Sequence, residues 1–338
     1  MSGRSTAIVH PSEVYVGVGT DNYINQAGEQ VDMNLIAVDW DSAPVAEQFV
    51  DVRLERWQWV TVQEVDANGD TAFTEQLQTD VLDEAVVVTA ADGTAVYDFT
   101  PEQGGVYKVI ATTRDDNGNE ITASQIVWVS GTEYVQWRVN NDNTLDIVTD
   151  ADDYAIGDTA RILVTSPFQG ITEALITVER DGVMKSEHIT LDSNSLVYDL
   201  PITEDFAPNV FVGVMLVKGV DDTNPIAGFR YGMTQINVDT ARKVVNIEIT
   251  PDREVAEPQE TVTYTVRTTD YAGEPIAAQV GVALTDLASL SIAPPNSGPI
   301  LNNFYGIQSL SVGTSTPLTI NTDEVTAFVR DVVKGGGG

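Results

Sequence analysis

The sequence contains no cysteine among its 338 residues. Disulfides, thiolate metal sites, cysteine nucleophiles and lipid attachment through cysteine are therefore excluded within these residues. Basic residues are also scarce, because 17 Lys and Arg stand against 51 Asp and Glu, which gives a formal charge of −34. Repulsion of this kind opposes nucleic acid and anionic membranes, so we expect neither as a partner. We interpret the excess of acid mainly as a solvated surface.

Long apolar runs are absent as well. No run approaches the roughly 20 residues that a helix needs to cross a bilayer. The first five residues lack the apolar core of a signal peptide. We therefore expect no membrane-spanning segment, and an exported origin would require that the true N-terminus has been removed.

Catalytic motifs are missing too. There is no Gly-x-Ser-x-Gly elbow, no Walker loop and no third glycine after Gly17 and Gly19. His10 and His188 stand alone, which favours structural or exposed roles over metal binding. Trp57 and Trp59 share one strand face, which is more typical of core packing than of a sugar platform. We expect no enzymatic activity and no cofactor, and a carbohydrate-active enzyme is the least supported class.

The sequence does contain one repeated motif, with copies at residues 21–35, 150–164 and 252–266. Each copy runs from an aspartate through an apolar residue to a turn, an acid and an alternating apolar strand. The aligned acids are Glu29, Asp158 and Glu260. The same offset aligns Asp39 and Pro44 with Asp270 and Pro275. Such repetition predicts a string of related β-domains.

Strand and turn signals divide the chain into three units of an all-β fold, namely tandem immunoglobulin-like antiparallel sandwiches at residues 1–131, 132–240 and 241–292. A long strand at 49–62 changes its apolar phase near Arg56 and Trp57, which predicts a bulge or a change of buried face. Strands at 94–99, 106–113 and 121–129 read as a meander. The strand at 209–217 is apolar at almost every position, so we expect it to be central, and Asp181-Gly182 predicts a hairpin.

The third unit begins with two alternating strands that predict one buried and one wet face. Its sheet has three strand signals before a Pro-rich stretch begins at 293. We therefore expect this sandwich to be incomplete and the chain to be a fragment. Residues 322–334 predict a short C-terminal helix, with Thr322 as N-cap and Lys334 near its end.

Acidic clusters offer two weak cation sites. Asp66, Asn68 and Asp70 fall at calcium-loop positions, yet their flanks read as strands and Asn-Gly favours a hairpin. Asp152 and Asp153, with their acidic neighbours, are more typical of a solvated linker than of a chelating site. We expect no resident metal at either place.

Several stretches resemble the bacterial alpha-2-macroglobulin family. They are residues 157–164 (GDTARILV), 174–182 (ALITVERDG), 266–275 and 280–286 (VGVALTD), and residues 303–306 resemble the approach to the family's bait region. The resemblance implies successive macroglobulin-like sandwiches with residues 293–338 leading into the bait. It also implies an extracellular, cell-surface or periplasmic parent that traps proteases after bait cleavage. The family's Cys-Gly-Glu-Gln thioester motif is absent here, so covalent capture is not carried over.

Bait cleavage has six candidate positions in the sequence. No basic residue lies between Arg267 and Arg330, so trypsin-like cleavage is expected at Arg330 or Lys334. The candidates for other specificities are Phe304, Tyr305, Leu310 and Phe328. The expected partners are proteases and other domains of the parent protein. The alternative function is a cell-surface stalk or adhesin of immunoglobulin-like domains, which should resist proteases.

Overall fold

The computed structural model of the chain describes residues 8–65, 71–138, 143–257, 259–284 and 300–314. Its regular elements are almost all β-strands, which confirms the all-β prediction. Valine, isoleucine and threonine at alternate positions account for this, because β-branched side chains pack well on a pleated, half-buried surface. No helix in the described part of the chain is long and apolar enough to cross a membrane.

The first sandwich is built from eight strands: β1 (Val14–Gly19), β2 (Ile24–Gln26), β3 (Val31–Asp39), β4 (Phe49–Val65), β5 (Thr71–Val88), β6 (Thr94–Phe99), β7 (Gly105–Arg114) and β8 (Glu120–Ser130). Within the described residues, one sheet has the order β1-β3-β6 and the other β2-β8-β7-β4-β5. All neighbours are antiparallel except β2 and β8. The inward faces of both sheets form one core, which includes Met33, Leu35, Val52, Val109 and Val127.

Strand β4 changes its buried face, as its sequence predicts. Val50, Val52 and Leu54 point into the core between the sheets, whereas Trp57 and Trp59 lie on the opposite face. The pairing of β4 with β5 shifts register after Leu54, and β5 carries the extra residue. The pairing of β4 with β7 is continuous there. The change in apolar phase along β4 therefore reflects a change of the buried face, and the bulge lies in β5.

The meander prediction is wrong in one respect. The three strands β6, β7 and β8 form as predicted, but β6 pairs with β3 in the opposite sheet. Only β7 and β8 are hydrogen-bonded neighbours. The turn signals mark strand ends and do not reveal that the chain crosses between sheets after Phe99.

The second sandwich repeats this construction with β9 (Ile147–Thr149), β10 (Asp153–Tyr154), β11 (Thr159–Thr165), β12 (Thr172–Glu179), β13 (Val183–Leu191), β14 (Ser195–Pro201), β15 (Asn209–Lys218) and β16 (Gly228–Val238). In the described residues, the sheet orders are β14-β11-β9 and β10-β16-β15-β12-β13. The core between them includes Ile162, Ile176, Val212, Leu216 and Ile236. Strand β15 is central, and β12 and β13 form the predicted hairpin around Asp181-Gly182.

The two sandwiches have the same topology, strand for strand. In each, the short second strand pairs in parallel with the eighth. The third strand is central in the three-stranded sheet, and the fourth and seventh pair in the five-stranded sheet. The first copy of the repeated motif covers the second and third strands of the first sandwich, and the second copy covers the same two strands of the second sandwich. The repetition predicted from sequence is therefore a repetition of fold.

The third unit starts in the same way. Strands β17 (Asn246–Pro251) and β18 (Tyr264–Thr269) pair antiparallel, as β1 and β3 do. Asp270 Oδ1 accepts hydrogen bonds from Ala272 N and Glu274 N, both at 2.9 Å. Asp39 Oδ1 accepts equivalent bonds from Asp41 N and Ala43 N. This Asx turn and the bridges Val38–Pro44 and Thr269–Pro275 confirm the sequence alignment of the two copies.

The prediction of one buried face in this ribbon is wrong for the described residues, because every residue of β17 is exposed and β18 is half-buried only at its end. Within the described residues of this unit the structure has two of the three predicted strands, β17 and β18, and residues 285–299 lie outside the described part. The helix predicted at 322–334 also lies outside them. The described C-terminal helix is α1 (Ile300–Tyr305), after which the chain is irregular to residue 314.

Asp115 fastens the N-terminal segment to the turn between β7 and β8. Its carboxylate accepts hydrogen bonds from Asn119 Nδ2 at 2.9 Å and Asn119 N at 2.8 Å, and from Glu13 N at 3.0 Å and Ser12 Oγ at 3.1 Å. The Asn119 side-chain bond, and after it the Glu13 backbone bond, lowers the pKa of Asp115 well below its usual value. These bonds hold the start of β1 in place.

This lowered pKa predicts a pH dependence. The stabilisation is fully present above the unfolded-state pKa of about 3.9 and is lost as the pH falls from there through the lower folded-state pKa. Asp115→Asn should therefore be less stable than the wild type at neutral pH and lose less stability on acidification. Urea unfolding of both proteins between neutral pH and acid measures this. Asp116→Asn, at the exposed neighbour, is the control, and equal pH slopes for wild type and Asp115→Asn would contradict the assignment.

Two leucines test the layer assignment of the second sandwich. Leu216 is fully buried in the core, whereas Leu175 on the opposite sheet face is 43% exposed. Leu216→Ala should cost about 2–5 kcal/mol of unfolding free energy because it opens a cavity. Leu175→Ala should cost about 0.5 kcal/mol or less. Hydrogen exchange of second-sandwich amides in increasing urea reports both values, and similar losses would show that the faces are misassigned.

Candidate functional site

An apolar cluster joins the two sandwiches, and we call it the joint. On the first sandwich it is a row across the outer face of the five-stranded sheet, in which Trp57 pairs with Val106, and Trp128 pairs with both Val106 and Ile24. On the second sandwich it is the row Val148, Leu163 and Val197. Val135 and Trp137 of the connecting segment fill the space between the rows. The two sandwiches therefore share a buried surface.

The aromatic rings of the joint pack in pairs. The ring centroids of Trp128 and Trp137 are 5.9 Å apart, and those of Trp57 and Trp59 are 6.3 Å apart with their planes nearly perpendicular. Lys108 Nζ lies 4.9 Å from the centroid of Trp57, within the range of a cation–π contact. Trp57 and Trp59 are packing residues, but the prediction of core packing is wrong in its place, because both lie on the outer face of the sheet and pack between the sandwiches.

A buried carboxylate lies at the edge of this aromatic row. Glu55 accepts hydrogen bonds from Arg53 and from Trp57 Nε1. Burial alone would raise the pKa of Glu55, but the bonds from Arg53 and Trp57 outweigh it, and the pKa lies below its usual value. The ionised carboxylate therefore orients the Trp57 ring.

One asparagine attaches the connecting segment to the second sandwich. Asn194 is buried, and its side-chain amide pairs with both backbone groups of Val135, because Oδ1 accepts from Val135 N at 2.9 Å and Nδ2 donates to Val135 O at 2.8 Å. The backbone carbonyl oxygen of Asn194 accepts a hydrogen bond from Trp137 Nε1 at 2.9 Å. Arg161 Nη1 donates to Ile24 O at 3.0 Å and so links the sandwiches directly. The joint combines apolar packing with satisfied polar groups.

The segment predicted to approach the bait lies partly within the described residues. Phe304 is 72% exposed on helix α1, and Tyr305 is half-buried with its ring centroid 5.9 Å from Lys243 Nζ. Leu310 is half-buried in the extended chain after the helix. Phe328, Arg330 and Lys334 lie outside the described residues. The structure therefore separates the described candidates by exposure.

Residues 307–314, which we call the strap, lie on the second sandwich. Gln308 N donates to Asn209 Oδ1 at 2.8 Å, and Asn209 Nδ2 donates to Gln308 O at 3.0 Å. Ser311 N donates to Arg180 O at 2.8 Å. Tyr231 Oη is 3.4 Å from Thr314 Oγ1. The strap thus contacts the ends of β12 and β15 and the middle of β16.

The candidate cation ligands are not brought together in the part of the chain that the structure describes. Asp66, Asn68 and Asp70 lie outside the described residues, and the flanks Val65 and Thr71 pair as the ends of one antiparallel hairpin, as predicted. Asp152 and Asp153 are exposed. Their neighbours Asp150 and Asp158 are hydrogen-bonded within the protein: Asp150 accepts from Tyr154 Oη and Arg161 N, and Asp158 accepts from Ala155 N. Across the described ranges there is no group of three or more acids and histidines that could hold a metal.

Sequence reasoning missed Asn194, Asn209 and Arg180 as contact residues. Each side chain hydrogen-bonds the backbone of a segment at least 26 residues away in sequence. A polar residue that opens an otherwise apolar strand, as Asn209 does, is the only signal that the sequence offers. It indicates a buried polar partner without identifying it.

Comparison with known proteins finds one family. Residues 145–292 match the family model described as the alpha-2-macroglobulin bait region domain. The chain is 23% identical over 334 residues to an alpha-2-macroglobulin homolog of Nostoc sp., which covers 96% of this chain and 17% of that protein. It is 29% identical over 236 residues to the alpha-2-macroglobulin of Ralstonia nicotianae, which covers 67% of this chain and 14% of that protein.

Solved structures are similar at a lower level. The native conformation of E. coli alpha-2-macroglobulin, solved by cryo-electron microscopy, has a TM-score of 0.33 and 14% identity, and the match covers 94% of this chain and 22% of that chain. The chain spans between 14% and 17% of the length of the curated relatives it matches.

The joint predicts a spectroscopic effect of one substitution. Asn194→Ala leaves the N–H and the C=O of Val135 without their side-chain partner, and an unsatisfied buried polar group costs about 1–3 kcal/mol. Trp137 should gain solvent contact, so the tryptophan emission should shift to the red and the radius of gyration in X-ray scattering should rise. Asn34→Ala, at an exposed position of β3, is the matched control. Identical emission of the two variants would show that Asn194 does not hold the joint.

Proposed function

Because this chain belongs to the alpha-2-macroglobulin family, we propose that it is a segment of a protease inhibitor that traps proteases after cleavage of a bait region. Residues 1–131 and 132–240 are then complete macroglobulin-like domains, and residues 241–292 are the front of a third. Residues 293–338 lead into the bait. The proposal concerns the parent protein, since the chain corresponds to a small part of its relatives.

One observation carries this proposal above the others. The first two sandwiches repeat one topology in full, whereas in the described residues the third unit contains only the equivalents of β1 and β3. The chain then reaches a short helix and an extended segment that lies on the second sandwich. An inserted bait requires a domain whose strands are interrupted by a segment that does not pair in a β-sheet.

The chain's own residues have a mechanical role in the proposed function. The attacking protease supplies the catalytic chemistry, so the chain needs no nucleophile or cofactor. Its task is to hold the scaffold still and to offer one accessible segment. The joint, with its packed tryptophans and the Asn194 bonds, fixes the first two sandwiches relative to each other. The absence of cysteine means that no thioester forms within these residues.

We further propose that the parent protein is exported and acts outside the cytoplasm, at the cell surface or in the periplasm. Its partners would be proteases and the other domains of the same polypeptide. The family assignment supports this location, and the strong negative charge suits a solvated surface.

Limited proteolysis tests the proposed function. E. coli alpha-2-macroglobulin has been solved after activation by porcine elastase and by trypsin, so these two enzymes are suitable probes. We expect the first cuts of the chain within residues 293–338, because the sandwich strands are held in ladders and are not available to a protease active site. Mass spectrometry of the earliest fragments locates the cuts. Initial cuts within residues 49–130 would contradict the proposal, and resistance of the whole chain would favour the stalk.

A double substitution gives the matched control. Arg330→Gln with Lys334→Gln removes the basic residues of this segment, so trypsin should lose its early cuts there. Elastase does not require a basic residue and should cut both proteins at the same rate. Equal trypsin rates for the two proteins would show that the early trypsin sites lie elsewhere.

A further inference from the structure

The strap is in an extended conformation with one side toward the sandwich. Gln308, Leu310 and Val312 are half-buried, whereas Ile307, Ser309, Ser311 and Gly313 are exposed. This period of two is that of an extended chain lying on a surface. The contacts at Gln308 and Ser311 go through backbone atoms, with Asn209 and with the carbonyl of Arg180. The hydrogen bonds at these two positions therefore do not involve the side chains of the strap.

Asn209 makes the main hydrogen bonds between the second sandwich and the strap. It is fully buried at the start of β15, and its side-chain amide pairs with both the N–H and the C=O of Gln308. An amide side chain that donates and accepts in this way replaces the edge of a neighbouring strand. Asn194 pairs with Val135 in the same way in the joint. The same asparagine side-chain interaction therefore attaches two segments that are not paired in a β-sheet, the connecting segment and the strap.

Arg180 organises the loop that presents Asn209. Its Nη1 faces the carbonyl oxygens of residues 206, 207 and 209, at 3.5, 3.0 and 3.4 Å. Its own carbonyl oxygen accepts the bond from Ser311 N. Since the preceding residue, Glu179, pairs with Phe211, the two strand ends lie side by side. One residue thus positions Asn209 and supplies the second attachment point of the strap.

We propose that Asn209 and Arg180 form a binding station for an extended polypeptide backbone, and that in this chain the strap occupies it and thereby limits where a protease can cut. The inference rests on the proposed function for its consequence, but the station itself does not depend on that function. A protease needs several residues in extended form and free of other partners. A chain held at 308 and at 311 does not meet this requirement, so Leu310 is protected although its sequence suits cleavage.

The consequence is an upstream boundary for the cleavable region. Leu310 lies between the two attachment points, and Phe304 lies in helix α1, which a protease must first unwind. The first cuts are then expected beyond the strap, where Phe328, Arg330 and Lys334 stand in the sequence. Asn209 and Arg180 act as positioning residues, since neither contacts the scissile bond.

Hydrogen exchange tests the station directly on the full chain. In the wild type, the amides of Gln308 and Ser311 should be protected. Asn209→Ala should speed the exchange of both by about tenfold or more, the factor expected when a pair of hydrogen bonds is lost. Gln308→Pro removes one donor from the strap side and should speed Ser311 exchange without changing the exchange of Val212 in the sandwich core. Ser309→Pro, at an exposed position, is the matched control and should leave Ser311 protected.

Proteolysis separates the station from the proposed function. With a protease that cleaves after large apolar residues, cutting at Leu310 should accelerate about tenfold in Asn209→Ala and Gln308→Pro, and not in Ser309→Pro. Suppose that Ser311 exchange and Leu310 cutting accelerate in Asn209→Ala and Gln308→Pro, but the wild type shows no early cut in residues 315–338. The binding station is then supported and the bait assignment is contradicted. If Ser311 exchange and Leu310 cutting are the same in wild type and Gln308→Pro, the station is wrong, wherever the bait is cut.

Discussion

The structure depends on one constraint, which is that every strand has two faces, and a row of large apolar side chains on either face needs burial against another element to contribute to stability. The inner faces meet that need within each sandwich, around Met33 in the first and Leu216 in the second. An outer face that carries such a row is covered by another part of the chain, whereas single apolar residues such as Leu175 remain partly exposed there. Where the first sandwich carries a row of tryptophans on its outer face, the second sandwich covers it. In the described part of the third unit, Ile249 and Val266 pair on a face that stays exposed.

A second requirement concerns the backbone. Segments that leave the ladders still carry N–H and C=O groups, and these are costly to bury without partners. Asn194 and Asn209 meet this requirement, because a side-chain amide can pair with the N–H and the C=O of one residue as a neighbouring strand does. The connecting segment and the strap therefore both lie against the second sandwich. This sandwich is the common support for the segment on its N-terminal side and for the strap on its C-terminal side.

Sequence reasoning predicted the elements better than the assembly. The period-two pattern located β4, the hairpin at Asp181-Gly182 and the central β15, since these signals are local. It also aligned Asp39 with Asp270, whose turns are the same. It missed the crossing of β6 to the opposite sheet and the contacts of Asn209. Both depend on which distant segments meet, and that is decided by packing between elements and not by the residues of either one.

The two ways of holding the chain also differ in strength, and the proposed function needs this difference. The sandwiches are held by apolar cores and by the joint around Trp137, which open only when large surfaces are exposed. The strap is held mainly by backbone hydrogen bonds, each of which contributes on the order of 1 kcal/mol net. A molecule that answers cleavage by rearranging needs a scaffold that persists and a segment that can be released. In this chain the first is provided by buried area and the second by a small number of polar contacts at Asn209 and Arg180.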